Sequence, residues 1–243
     1  MHLDPHANRL LATLHYADFH LLAPHLRFVS LVQGQVLQEQ EAAVEQVYFP
    51  LSGVVSLISV MEGGEVVETA TVGREGAIGA FGGLGPWHAF TRAVVRLPAI
   101  AAVISVPHFQ AAVGKSDRIR NLVLRYKEAL LGQVQQTAAC NALHPLEARL
   151  ARWLLQTLDR ADDPKLPLTQ DFMAQMLAVR RTTVTLIASQ LQEAGLISYR
   201  RGLVVVLDRP RLEEAACECY RTIRRRTDAV FADRDAGRTV STG

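Results

Sequence analysis

The chain has 243 residues, 49% of them hydrophobic and 21% charged, which is material for two packed domains rather than a solvated, disordered polymer. A net charge of +2 neither requires nor excludes nucleic acid, because what matters is where the cations sit. Three cysteines (Cys140, Cys217 and Cys219) form no spaced disulfide framework, no apolar run approaches bilayer length, and the N-terminus lacks the order of a signal peptide, so a cytoplasmic protein without membrane contact is expected.

Residues His2 to Leu26 read as short helices, with Leu10, Leu11 and Leu14 on one apolar face. From Arg27 to about Pro107 the pattern changes to strands, at Arg27 to Val32, Val36 to Gln38, Gln46 to Pro50, Val54 to Met61, Glu65 to Val72, Ala93 to Leu97 and Ala101 to Val106. Glycine-rich turns separate them, which predicts a β-sandwich or roll over residues 1–114. Residues 115–144 read as one long helix, with Ile119, Leu122, Val123, Tyr126, Leu130 and Val134 on adjoining faces. A helix of about 40 Å exceeds what one small domain covers, and the same stripe on a second copy would bury it as a two-stranded coil. Packing on the chain's own β-domain is the competing reading. His144-Pro145 breaks the helix, Ala148 to Leu158 starts another, and Asp159 to Pro167 reads as a polar loop. Arg211 to Arg225 reads as helix, on which residues two apart diverge by about 200°, so Cys217 and Cys219 share no metal ion unless that helix is broken. His2 and His6 have helical spacing but stand at the terminus, and no metal site is expected. Residues 233–243 are small and polar and are expected to be a disordered tail.

The most informative stretch is Leu168 to Leu207, which reads as two short helices and a two-stranded wing within a unit spanning 145–232. Thr169 is placed to cap the first helix, with Asp171 adding favourable charge there and Phe172, Met173, Met176 and Leu177 forming its apolar stripe. A second helix starts at Arg180 or Arg181 and buries Val184, Ile187, Ala188 and Leu191. Its other face then carries Arg181, Thr182, Thr185, Leu186, Ser189 and Gln192, a short cationic set suited to the major groove. Gly195 supplies a left-handed stop, and Arg200-Arg201-Gly202 puts two cations at the tip of the wing. Winged helices also serve as protein-docking modules; the concentration of Arg180, Arg181, Arg200 and Arg201 favours double-stranded DNA.

This order of helix, turn, helix, Gly-Leu-Ile-Ser and Arg-Arg-Gly resembles the C-terminal domain of the CRP/FNR family of bacterial transcription regulators, and the upstream ARLARWLLQTL resembles its lead-in helix. Tyr48 to Gly53 is similar to a strand and turn of the family's sensory domain. The resemblance implies an α+β chain: an N-terminal cyclic-nucleotide-binding-like β-roll (jelly roll), a long dimerisation helix and a C-terminal winged helix-turn-helix. It further implies a homodimer on an inverted-repeat operator, with RNA polymerase as a partner if the protein activates. Arg181 matches the family's base-reading arginine and Thr183 its backbone-contacting hydroxyl, whereas Thr182 and Leu186 stand where many members carry glutamate and arginine. Those departures imply a different operator. Arg180 joins Arg181 as a base or phosphate reader, Thr182, Thr185 and Ser189 are secondary readers, and Thr183, Arg200 and Arg201 grip phosphates. Ala178 stands where a turn glycine is common; a positive φ there costs about 1 kcal/mol.

The family's cyclic-nucleotide site uses a glutamate after glycine and an Arg-x-Ala stretch. Here the glutamate position holds Ile78 and Arg92 directly precedes Ala93, so no cyclic nucleotide is expected and the effector is unknown. Gly76, Gly79 and Arg92 mark the corresponding pocket. An iron-sulfur cluster requires about four thiolates and is excluded by cysteine count. His88, beside Trp87 and Phe90, is the one candidate for a haem ligand and reads better as structural. With no Walker loop, zinc-hydrolase spacing or nucleophile elbow, no catalytic residue is expected.

Overall fold

The computed structural model describes residues 3–86, 88–161 and 163–232; His2, Trp87 and the tail from 233 lie outside them. Two short helices, α1 (Arg9–Ala12) and α2 (Tyr16–Phe19), precede seven antiparallel strands. These are β1 (Arg27–Leu31), β2 (Val36–Gln38), β3 (Gln46–Pro50), β4 (Val54–Val60), β5 (Val66–Val72), β6 (Arg92–Leu97) and β7 (Ala99–Ser105). They pair in the orders β1-β7-β3 and β2-β6-β4-β5. Along β7 the side chains alternate as the pleat requires: Ala99, Ala101 and Val103 face a core with Leu31 and Val95, whereas Ile100, Ala102 and Ile104 face the helices. Asn8 ties the first helix to this roll: its side-chain oxygen accepts from the amides of Leu10 and Leu11, and its Nδ2 donates to the carbonyls of Pro50 and Gly76. Replacing this fully buried side chain would leave orphaned polar groups.

The roll feeds without a loop into α3 (Val106–Lys115), which Pro107 opens at a position where its missing amide is no loss. Ser116 then caps α4 (Asp117–Leu143), its hydroxyl oxygen accepting from the amide of Ile119 at 3.1 Å. The expected dimer stripe is corrected here. Ile119, Leu122, Val123 and Tyr126 are buried against the chain's own roll and N-terminal helices, and Leu130 and Val134 pack partly there. Helical periodicity announces that a face is buried and is blind to what buries it. The large apolar residues that α4 leaves exposed are Leu124, Leu131 and Leu143.

After the extended residues His144 and Pro145, α5 (Leu146–Arg160) leads to β8 (Lys165–Pro167), α6 (Gln170–Leu177), α7 (Arg181–Glu193), β9 (Ile197–Arg200) and β10 (Leu203–Val206). The supposed loop before α6 therefore contains a strand: β8 pairs with β10 in the order β8-β10-β9, using the alternation of Lys165, buried Leu166 and Pro167. Two short helices follow, α8 (Arg209–Ala215) and α9 (Cys219–Ala229). The single helix expected over 211–225 is thus broken at residues 216–218, and the argument against Cys217 and Cys219 meeting lapses with it.

The outer face of the β4-β5-β6 sheet is covered by α5 and α6. Val54, Ile58 and Leu97 join Leu154, Met173 and Leu177 in one apolar cluster. Within it Arg96, 1% exposed, pairs with Glu68, donates to Ser56 Oγ, and lies 4.2 Å over the ring of Trp153. Trp153 in turn donates its indole N–H to Glu68 at 2.9 Å. A second buried pair, Arg160 with Glu75 at 2.6 Å, joins α5 to the turn after β5. No helix among the described residues is long and apolar enough to cross a membrane.

Candidate nucleic-acid interface

Thr169 caps α6 as its spacing demands, its oxygen accepting from the amide of Phe172, and Arg149 of α5 donates to the carbonyl of Leu177 at the other end. Ala178 makes the turn with φ 53° and ψ 50°, a left-handed conformation that strains an alanine. Arg180 then occupies the N-cap of α7, and Arg181, Thr182 and Thr183 form its exposed first turn. Val184, Ala188 and Leu191 are buried and Ile187 is half-buried, so the opposite face presents Arg181, Thr182, Thr185, Leu186, Ser189 and Gln192 to solvent. Leu186, 58% exposed, is an apolar group in the middle of that face.

Two contacts set the orientation of this helix. The Thr185 hydroxyl lies 2.7 Å from Gln170 Oε1, tying α7 to the start of α6, and the Gln192 side chain accepts from the Tyr199 amide at 2.7 Å, tying its far end to the wing. The roles of Gln192, Gln170 and Arg149 leave no local pattern in the sequence, because their partners lie in other elements. Arg181 pairs with Asp171 at 3.2 Å, but both side chains are more than 60% exposed, so the pair contributes at most about 1 kcal/mol and leaves the guanidinium free to reach outward. The wing turns at Arg201 and Gly202, with φ 51° and 77°, the primed two-residue hairpin whose twist matches its strands. Arg200 and Arg201 are exposed at its tip.

Residues 148–215, which span α5 to α8, match the family model of the Crp-like helix-turn-helix domain. The C-terminal domain belongs to that family. No curated protein matches the chain in sequence. Solved structures match most of its architecture: FixK2 from Bradyrhizobium japonicum is 17% identical with a TM-score of 0.68, covering 79% of this chain and 98% of that one. TTHB099, a CRP-family transcriptional regulator from Thermus thermophilus, is 20% identical with a TM-score of 0.64, covering 77% and 96%. CLP, the c-di-GMP-responsive global regulator of Xanthomonas campestris, is 17% identical with a TM-score of 0.63, covering 80% and 100%. At such identities the likeness is one of fold: roll, long helix and Crp-like domain stand in the order of the CRP/FNR regulators.

Between the roll and α4 lies a cavity of about 370 Å³, lined by Leu57, Ile78, Gly79, Phe81, Phe90 and the Leu130-Leu131 edge of the helix. Of the three pocket residues read from sequence, Gly79 alone lines it. Gly76 backs onto Tyr126, where a Cβ would come within 2.5 Å of the phenol oxygen, and burial pushes that phenol's pKa up. Arg92 instead pairs with Glu39 at 2.6 Å. Lys127 supplies the cation at the cavity wall. His88 is exposed, and His6 pairs with Asp4.

The junction between α4 and the end of the Crp-like domain corrects another expectation. Cys217 and Cys219, expected to share no metal ion unless their helix is broken, lie beside Cys140 and His144, and the donor atoms of all four are within 4.8 Å of one another. The hydrogen bond between Cys140 and Cys217 holds the Cys140 thiol below the usual thiol range, aided by the charge of Arg152, and pushes the Cys217 thiol up. The break at residues 216–218 creates this cluster.

Proposed function

We propose that the protein is a transcription regulator, not an enzyme, that binds double-stranded DNA sequence-specifically as a homodimer. The observation that carries this reading is the solvent-facing surface of α7, cationic at its first turn and flanked by a doubly cationic wing, inside a Crp-like helix-turn-helix. Arg180 and Arg181 meet bases or phosphates, Thr182, Thr185 and Ser189 read base edges, and Thr183, Arg200 and Arg201 hold phosphates. Leu186 is positioned for a thymine methyl. Arginine pairs bidentately with guanine, so Arg181 is the residue on which sequence preference turns.

The dimer reading is supported by the face of α4 that its own chain leaves bare. Leu124, Leu131 and Ala138 recur every seven residues, the period of a two-stranded seam, and are exposed. A two-fold axis along that seam presents two α7 helices about 34 Å apart and selects an inverted repeat. Residues 1–114 form the sensory unit, 115–144 the dimerisation helix and 145–232 the DNA-binding unit, with RNA polymerase as partner if the protein activates. The roll works without a cyclic nucleotide: Arg92 is engaged by Glu39, and the cavity lining is mainly apolar, with Lys127 as the charged residue in its wall.

Selection of duplexes from a random library with the intact protein tests the reading. An enriched inverted repeat with half-sites one helical turn apart is expected; recovery of no enriched sequence would favour a winged helix that docks a protein.

A further inference from the structure

We infer that Cys140, His144, Cys217 and Cys219 bind one thiophilic divalent metal ion, zinc by chemistry, in a closed four-ligand site. Three thiols and one imidazole are a ligand set of structural zinc sites. The four donor atoms lie within 4.8 Å of one another; Cys140 Sγ and Cys217 Sγ are 3.5 Å apart, as are Cys219 Sγ and His144 Nδ1. With metal–sulfur bonds of about 2.3 Å and a metal–nitrogen bond of about 2.0 Å, a tetrahedron has edges of about 3.5–3.8 Å. The ligands therefore need to close by no more than about an ångström along their longest separation.

The chain builds this cluster from two places far apart in sequence. Cys140 stands on the last turn of α4 and His144 is the extended C-cap just beyond it, its backbone amide donating to the Cys140 carbonyl. Cys217 lies in the extended link after α8 and Cys219 opens α9, so a Cys-x-Cys pair converges where a continuous helix would have splayed it. All three thiols are buried.

The surroundings are those of a ligand set. His144 turns Nδ1 towards Cys219 and places Nε2 3.2 Å from a Glu218 carboxylate oxygen, which fixes the tautomer with Nδ1 free to coordinate. Gln136 donates to Cys219 Sγ at 3.1 Å, and Arg152 contributes positive charge at Cys140. Three thiolates around a divalent ion leave one net negative charge, which that cation offsets. With four protein ligands the site has no open position, so its role is to fasten the end of α4 to the α8–α9 junction rather than to catalyse. Bound metal then contributes directly to folding. The site stands independently of whether α7 reads DNA.

The test uses the full chain, produced without an affinity tag that chelates metal. Elemental analysis should find one zinc per chain. Removal of zinc under reducing conditions and addition of cobalt(II) should give thiolate-to-cobalt charge transfer and tetrahedral ligand-field absorption. Cys219→Ser and His144→Ala should lose that spectrum, whereas His144→Cys should restore a shifted, four-thiolate form, which separates a ligand role from misfolding. Glu218→Gln should keep the metal but bind it roughly 10- to 100-fold more weakly in chelator competition. Absence of metal together with no cobalt spectrum in the reduced protein would overturn the inference. So would a Cys140–Cys217 disulfide in protein taken from reducing cells, or metal retention unchanged in Cys219→Ser.

Discussion

Replacing Arg96 with methionine probes how the Crp-like domain is held to the roll. Arg96 is 1% exposed, pairs with Glu68, hydrogen-bonds Ser56, and stacks on Trp153 and Phe172 at 4.2 and 4.9 Å. Methionine restores most of the packing volume but leaves Glu68 buried, retaining its bond from Trp153 and losing its cation. Breaking a buried pair on one side costs about 3–5 kcal/mol, because the remaining charge has neither water nor a compensating charge. Arg96→Met is therefore expected to destabilise by that amount. Removing both charges, in Arg96→Met with Glu68→Gln, leaves no orphaned ion and keeps an acceptor for Trp153, so the double variant should recover to within about 1 kcal/mol of the parent. Urea unfolding followed by tryptophan fluorescence and circular dichroism gives each stability, provided the two signals coincide. A single variant within about 1 kcal/mol of the parent, or a double variant as unstable as the single, would refute the argument.

Three further outcomes follow from particular residues. Ala178→Gly should stabilise by about 0.5–1 kcal/mol: relief of left-handed strain of about 1–2 kcal/mol exceeds the extra freedom of glycine in the unfolded chain, and a lowered urea midpoint would contradict it. Arg201→Asn, which tolerates the positive φ at that position, should weaken specific and random duplexes alike and flatten the dependence of log K on log salt by about one per subunit; a loss confined to one sequence would assign Arg201 a reading role instead. Leu124→Glu with Leu131→Glu should turn a dimer into a monomer in sedimentation velocity, and a dimer that survives both charges would move the interface elsewhere.

Much of this architecture is legible in the chain because its signals are local. The strands other than β8 lie within two residues of their expected runs, Thr169 and Gly195 bound α6 and α7 through their own caps, and the polar face of α7 follows from the spacing of Val184, Ala188 and Leu191. What escaped the sequence depends on distant partners. The Ile119 to Tyr126 stripe is apolar for the sake of its own roll, and only the remainder of α4 can seat a second copy. The strand pattern runs to about Pro107, which in fact sits in the first turn of α3; three residues suffice for β8 because β10 is there to pair with them. The thiol cluster was hidden by a helix break at residues 216–218, which carries neither glycine nor proline.

The most direct measurement compares the intact protein and Arg181→Ala on a selected duplex and on random duplex at one salt concentration. A fall of about tenfold or more in the ratio of the two affinities, arising from the selected duplex, is the expected result, corresponding to about 1.4 kcal/mol of lost base discrimination. An equal loss on both duplexes would contradict the assignment of α7 as the element that reads sequence.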